Sequence, residues 1–295
     1  MRPPIGTAMM AAMGRLPTAR EQEQVAAGER PRPVPGSGPL GEALAMLWRR
    51  GLRPRPSRPD LPFPAGVGQE VLEQLAAQLG HYSFRLFFRG AIQRADGFLP
   101  SQTTRYLSAA QSAVHAETLV RLGLAERLTR GRYRLLRSAR SFGGTLEWYV
   151  AHELARRLGL DAVAGLKLGA RGVGGDLDVV AAAEGKLVYL ELKSSPPRHL
   201  SDSEVAAFFG RLRALRPDVA VFVMDTALRL SDKVVPMLSA QMHTGAGVRQ
   251  APRRIVRETW ALTPHLYAVN AKPDLVGNVC RAIAEGILAL APPVP

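Results

Sequence analysis

Residues 176–182 and 186–193 form two short apolar runs separated by only Ala183-Glu184-Gly185. A break that short makes two runs of this length return on each other as antiparallel strands. Each run carries one carboxylate, Asp178 and Glu191, thirteen positions apart, and Lys193 follows two residues after Glu191. Side chains alternate along a strand, so Glu191 and Lys193 share one face while Leu190 and Leu192 take the other. Two carboxylates at the mouth of a buried hairpin repel each other, and one lysine offsets only part of that charge. Singly, each of the three reads as an ordinary polar residue at a strand end. Together they call for a bound cation.

The residue types say which cation and which chemistry. Hard divalent ions such as Mg²⁺, or Mn²⁺ in its place, take oxygen ligands, and two carboxylates with a phosphate oxygen and water fill most of an octahedral shell. An ion so held polarises a phosphoryl group and stabilises a leaving oxygen. A lysine beside it faces the negative charge that builds in the transition state. The expected activity is metal-dependent hydrolysis of phosphodiester bonds.

Asp178 followed by Glu191-Leu192-Lys193 resembles the PD-(D/E)xK, or restriction-endonuclease-like, superfamily of nucleases. The resemblance implies a core that runs helix, three strands, helix, strand, with a further acid on the first helix. Gly143-Gly144-Thr145-Leu146-Glu147-Trp148-Tyr149-Val150 looks like the start of that helix, which makes Glu147 the additional acid. The Gly-x-Leu-Glu-x-Tyr-Val form is similar to nuclease domains found beside CARF sensor domains. The segment after Lys193, Val205 to Gly210 followed by Val219 to Val223, looks more like Mrr-type restriction enzymes. Implied catalytic residues are Asp178, Glu191, Lys193 and Glu147, with Asp178, Glu191 and Glu147 as metal ligands. Two departures stand out. No proline precedes Asp178, and no glutamine or arginine stands clearly in the helix after Lys193, so substrate contacts there are not carried over.

Periodicity supports the same order independently of the resemblance. Leu146, Tyr149, Val150, Leu154 and Leu158 have helical spacing over 145–159, and Gly159 ends the segment. Segments 162–168, 176–182 and 186–193 read as strands, with Gly172, Gly174, Gly175 and Gly185 at turns. Ser201 or Ser203 caps a helix over 203–215, and the run 219–224 reads as a further strand. Residues 231–242 look helical despite Pro236, 266–269 strand-like and 273–290 helical. The expected fold is α/β: a restriction-endonuclease-like α/β sandwich with a central mixed sheet over 141–295.

Residues 61–140 read as a small α+β domain of a different kind. Helices are expected over 68–79, 83–94, 101–107 and 109–122, and then a hairpin over 123–136 with its turn at Arg130-Gly131. From 81 to 140 there are eleven arginines against Asp96, Glu117 and Glu126, so much of the chain's +14 charge is concentrated here. Helices leading into a basic hairpin resemble a winged helix, which implies DNA contact. The helix before the hairpin would then offer Gln111, Ser112, His115 and Arg121 to the major groove, and Arg130, Arg132 and Arg134 would touch phosphates. Winged helices also serve as protein-contact spacers, and arginine outnumbers lysine throughout the chain, 34 to 5.

Residues 1–60 are interrupted by Pro3-Pro4, Pro31 to Pro39 and Pro54 to Pro64, the composition of a mostly disordered arm. A short helix over 41–50 with Leu44, Leu47 and Trp48 on its apolar side is the exception. Cys280 alone forms no internal disulfide, and the six histidines lack metal-ligand spacing. No segment is long and apolar enough to span a membrane, and Met9 to Met13 is too brief for a signal-peptide core, so a cytoplasmic protein is expected. Expected partners are DNA and no membrane, with a homodimer left open. A catalytically inactive nuclease-fold DNA-binding or scaffold protein is the alternative. An RNase or sensor-gated effector is disfavoured because 1–60 is too short for a sensor domain.

Overall fold

The computed structural model describes residues 41–57, 60–94, 96–168, 176–242 and 251–291, which belong to one unit beginning at Gly41. The arm over 1–40 and the turn glycines Gly172, Gly174 and Gly175 lie outside the described residues.

The hairpin that dominates the sequence is built as its spacing requires. Strand β5 (Asp176–Ala183) pairs antiparallel with β6 (Lys186–Lys193), in a register that places Ala183 against Lys186 and Val179 against Leu190. Glu184 and Gly185 close it with φ of 50° and 70°, the left-handed pair a two-residue turn needs to match the strand twist. Preceding the hairpin are helix α5 (Gly143–Leu158) and strand β4 (Asp161–Leu168); helix α6 (Asp202–Leu215) and strand β7 (Val219–Met224) follow it. Ser201 caps α6 through a reciprocal box with Glu204.

Neighbouring segments extend this core at both edges. Helix α1 (Glu42–Arg49) is followed by strand β1 (Pro54–Pro56), which pairs antiparallel with β4. The proline spacing there predicts a break, but β1 is an edge strand with a single neighbour, where a proline without an N–H is tolerated. On the far side, helix α7 (Val234–Met242) carries Pro236 in its first turn, where no intrahelical N–H is lost. Strands β8 (Arg253–Val256), β9 (Thr259–Thr263) and β10 (Leu266–Asn270) and helix α8 (Leu275–Leu290) complete the chain. The eight strands run in the order β1-β4-β5-β6-β7-β10-β9-β8, with β6-β7 and β7-β10 parallel and the other pairs antiparallel. The expected α/β sandwich around a central mixed sheet is therefore present. Strands β8 and β9 were not expected: β8 is polar and largely exposed, and the five residues of β9, though mostly buried, show no strict alternation to read.

Residues 60–142 do not have a separate core. Helices α2 (Gln69–Leu79), α3 (Tyr82–Ile92) and α4 (Ala109–Arg121) bury Leu75, Phe84, Phe87, Phe88 and Leu119 in one apolar cluster with Leu146 and Val150 of α5 and Val179, Leu190 and Val221 of the sheet. Each fully buried side chain of this size contributes about 1.5–3 kcal/mol. The opposite sheet face is covered by α1, α6 and α7 through Leu47, Phe208 and Leu238. In place of the helix expected over 101–107 there is a single 3-10 turn, Pro100–Gln102, whose next residue Thr103 turns its hydroxyl back onto the Pro100 carbonyl at 2.8 Å. Gly90 of α3 lies so close that a Cβ there would stand 1.8 Å from the Thr103 carbonyl oxygen. Strands β2 (Ala125–Arg127) and β3 (Tyr133–Leu135) form the hairpin after α4, and Phe98 bridges to Tyr133.

Candidate active site

Alternation along β6 sends Tyr189, Glu191 and Lys193 toward α6, while Leu190 and Leu192 enter the other layer. Glu191 is 1% exposed, and charged partners surround it. Its Oε1 lies 2.7 Å from Nη2 of Arg211 and 3.0 Å from Nζ of Lys193; its Oε2 accepts from Nε of Arg211 at 3.1 Å and from the Tyr189 hydroxyl. Nε of Arg211 also lies 2.9 Å from the Tyr189 oxygen. Lys193 reaches a second carboxylate, Oε1 of Glu204 in the first turn of α6, at 3.4 Å. Burial works to lower the proton affinity of Lys193, but Glu191, Asp178 and Glu204 outweigh it and hold the amine protonated above its ordinary range.

Asp178 stands where the β5–β6 ladder ends. Its Oδ2 accepts the Leu192 N–H at 2.6 Å, in place of a main-chain ladder bond. Desolvation, with the charges of Glu191 and Glu147 added, raises the proton affinity of Asp178 well above the aspartate range; the Leu192 N–H and Lys193 oppose this. Glu147, in the second turn of α5, is pushed from 4.5 to about 7 by burial first, then by Asp176 and Glu191. Among the described residues no Lys, Arg or His nitrogen lies within ion-pair distance of either Asp178 or Glu147. Three carboxylates thus influence one another at one end of the sheet, and two of them lack a cation.

Glu147 opens into a cleft of about 740 Å³ whose walls include Trp148, Asp176, Lys167, Arg140 and Gly165. Gly165, with φ of 62°, lets β4 pass close to α5: a Cβ there would stand 3.7 Å from Oε2 of Glu147.

Arg211 is the residue that sequence reasoning missed. Val205, Phe208, Leu212 and Leu215 mark the buried stripe of α6, and Arg211 falls inside it, one turn after Phe208. A charged residue at a core position of an amphipathic helix needs a buried partner. That misplacement was the available signal.

The expected nucleic-acid residues divide into two groups. His115 is half-buried: its ring packs edge-on against Phe84 at 5.3 Å and beside Phe87 at 5.6 Å, and burial with nearby His81 lowers its proton affinity. Ser112 is buried. The helical phase of α4 turns both inward, a consequence of Ala116 and Leu119 fixing which side is core. Gln111 is exposed but occupied, because it closes a capping box with Ser108. Arg121 is exposed and touches Thr118 at 3.1 Å. In the hairpin, Arg134 pairs with Glu126 at 2.6 Å, Arg132 donates to the Gly97 carbonyl at 3.1 Å, and Arg130 sits exposed in the turn with φ of 57°.

No protein-family model matches the chain, and no curated protein matches it. Among solved structures it is similar to protein VC1899 from Vibrio cholerae, at 18% identity and a TM-score of 0.42, over 68% of this chain and 60% of that one. It is also similar to Can2 from Sulfobacillus thermosulfidooxidans, solved in complex with cyclic tetra-adenylate, at 14% identity and a TM-score of 0.45, over 84% of this chain and 63% of that one. The chain spans less than two thirds of either protein. Neither likeness bears on the site.

The donor chemistry fits a hard divalent cation. Asp178 and Glu147 supply only oxygen, and burial first, with neighbouring carboxylates second, raises the proton affinity of both. Among the described residues no group of three or more His, Cys, Asp or Glu side chains is placed to hold a metal ion. Mg²⁺ commonly binds through one or two carboxylates, with water and substrate phosphate completing its shell, so it does not need a third protein carboxylate. Among the described residues no helix is long and apolar enough to cross a membrane.

Proposed function

We propose that this chain is a metal-dependent nuclease of PD-(D/E)xK type that hydrolyses phosphodiester bonds of DNA, with the basic helices and hairpin of residues 61–140 binding the substrate. The observation that carries this is the placement of Asp178 at the end of the hairpin beside β6, its Oδ2 accepting the Leu192 N–H at 2.6 Å next to Lys193, whose amine is held by Glu191 at 3.0 Å. Mg²⁺ or Mn²⁺, when bound, supplies polarisation of the phosphoryl group and charge relief at the leaving oxygen. Asp178 and Glu147 would hold it.

Lys193 has the complementary task. Its amine is fixed by Glu191 and Glu204, so it can donate a hydrogen bond to a non-bridging phosphate oxygen and meet the charge developing there. Paired with two carboxylates, it would act as an electrostatic group toward that charge. Residues 61–140 would hold the sugar-phosphate backbone through Arg130 and Arg121, which are exposed and form no ion pair among the described residues.

The test is incubation of the purified chain with supercoiled, linear and branched DNA and with RNA, with and without Mg²⁺ or Mn²⁺. Metal-dependent DNA cleavage that disappears in Asp178→Asn is the expected result. DNA binding with no cleavage under either metal would instead favour an inactive scaffold. One observation supports that second reading: Glu191, the motif's own acid, is already engaged by Arg211, Lys193 and Tyr189.

A further inference from the structure

A carboxylate offers about four acceptor positions, two on each oxygen. At Glu191 all four are taken: Oε1 by Nη2 of Arg211 at 2.7 Å and Nζ of Lys193 at 3.0 Å, Oε2 by Nε of Arg211 at 3.1 Å and the Tyr189 hydroxyl. We propose that Glu191 is not a metal ligand but the anchor that positions Lys193, that Arg211 is the positioning residue holding Glu191 in that role, and that Asp178 and Glu147 carry the cation. The proposal rests on the nuclease reading of the same site.

Burial makes the arrangement hard to exchange. Glu191 is 1% exposed and Arg211 7%, so a metal could take a Glu191 oxygen only by displacing the buried guanidinium, the Tyr189 hydroxyl or the half-buried Lys193 amine from its ion pair. The guanidinium grips both oxygens through its rigid fork, which fixes the carboxylate plane as well as its charge. That plane decides where Oε1 stands, and Oε1 with Oε1 of Glu204 at 3.4 Å decides where the Lys193 amine stands. Asp178 is engaged very differently. Its one hydrogen bond among the described residues is the Leu192 N–H, and Glu147 makes none. Ligation by this pair breaks no buried ion pair.

The test is Mn²⁺ binding to the full chain without nucleic acid, read from the signal of free Mn²⁺ in electron paramagnetic resonance, for wild type, Asp178→Asn, Glu191→Gln and Arg211→Met. Asp178→Asn is expected to weaken Mn²⁺ binding by about tenfold or more, as loss of a ligand does, while Glu191→Gln leaves the Kd within about twofold. Arg211→Met frees acceptor positions on Glu191 and should tighten Mn²⁺ binding, a gain that disappears in the double variant Arg211→Met with Glu191→Gln. A residue important only for folding would not produce tighter binding. If Glu191→Gln weakens Mn²⁺ binding as much as Asp178→Asn, Glu191 is a ligand and the proposal is overturned. Circular dichroism monitors folding, and should Arg211→Met not fold, the Glu191→Gln comparison decides alone, since it is isosteric. A wild-type chain that binds no Mn²⁺ would end the nuclease reading; the anchoring role would then stand or fall on whether Arg211→Met creates binding.

Discussion

Arg85 of α3 and Asp225, the residue after β7, meet with Nε 2.9 Å from Oδ1, their side chains 1% and 0% exposed. Arg89 takes the other oxygen, Nη2 to Oδ2 at 2.8 Å, and the Asp225 N–H donates to the Lys193 carbonyl at 2.8 Å. The helices of the 61–140 segment are therefore tied by charge, as well as by apolar contact, to the sheet end that carries the site. Removing one member of a buried pair leaves the other unpaired, so Asp225→Ala should cost about 3–5 kcal/mol in urea unfolding. Glu126→Ala, which breaks the exposed pair with Arg134, should cost less than about 1 kcal/mol. Similar losses for the two would mean that Asp225 adds nothing to the attachment.

At the site, Asp178→Ala and Lys193→Ala should each lower cleavage by orders of magnitude while leaving DNA affinity nearly intact, because on the proposed reading most phosphate contacts come from residues 61–140. Glu191→Ala should lower cleavage and stability together, since it removes the buried carboxylate with which both Arg211 and Lys193 pair. Glu147→Ala should be milder in cleavage than Asp178→Ala. Cleavage rates paired with binding isotherms for the four variants would check the order. Equal activity in all of them would refute the assignment.

The raised proton affinity of Glu147 gives a pH signature in metal-free protein. The carboxyl is easier to protonate folded, at about 7, than at its ordinary value of 4.5, so its contribution to stability is present below about 4.5 and is lost as pH rises through about 7. At about 1.4 kcal/mol for each tenfold change in proton affinity, the loss is about 3 kcal/mol at most. In EDTA, Glu147→Gln should therefore raise the melting temperature more at pH 8 than at pH 5. A gain independent of pH would show that Glu147 titrates normally.

The hairpin arginines should contribute unequally to DNA binding. Each phosphate contact adds about 0.9 to the slope of log K against log salt on duplex DNA. Arg130, exposed in the turn, should lower that slope by nearly one on change to Ala, and Arg134, already paired with Glu126, by less. His115→Ala should leave the slope unchanged and reduce stability, because its ring is packed between Phe84 and Phe87. A slope unaffected by Arg130→Ala would assign the hairpin to protein contacts.

Local pattern alone determined the hairpin of β5 and β6, its turn, the helix before it and the helix and strand after it. Period-two and period-3.6 spacing are properties of neighbours in sequence, and Glu184-Gly185 makes one register strongly preferred. The same alternation placed Glu191 and Lys193 on one face. What alternation could not say is what stands opposite them. Arg211 lies twenty residues from Glu191, and it meets that carboxylate only because the parallel pairing of β6 and β7 makes α6 cross back over the sheet with Phe208 and Leu215 buried. The direction of His115 was decided in the same way, by which side of α4 the phenylalanines of α3 cover. Sequence specifies which groups are present and their local spacing; long-range packing chooses their partners, and in a buried site the partners set each group's charge and role.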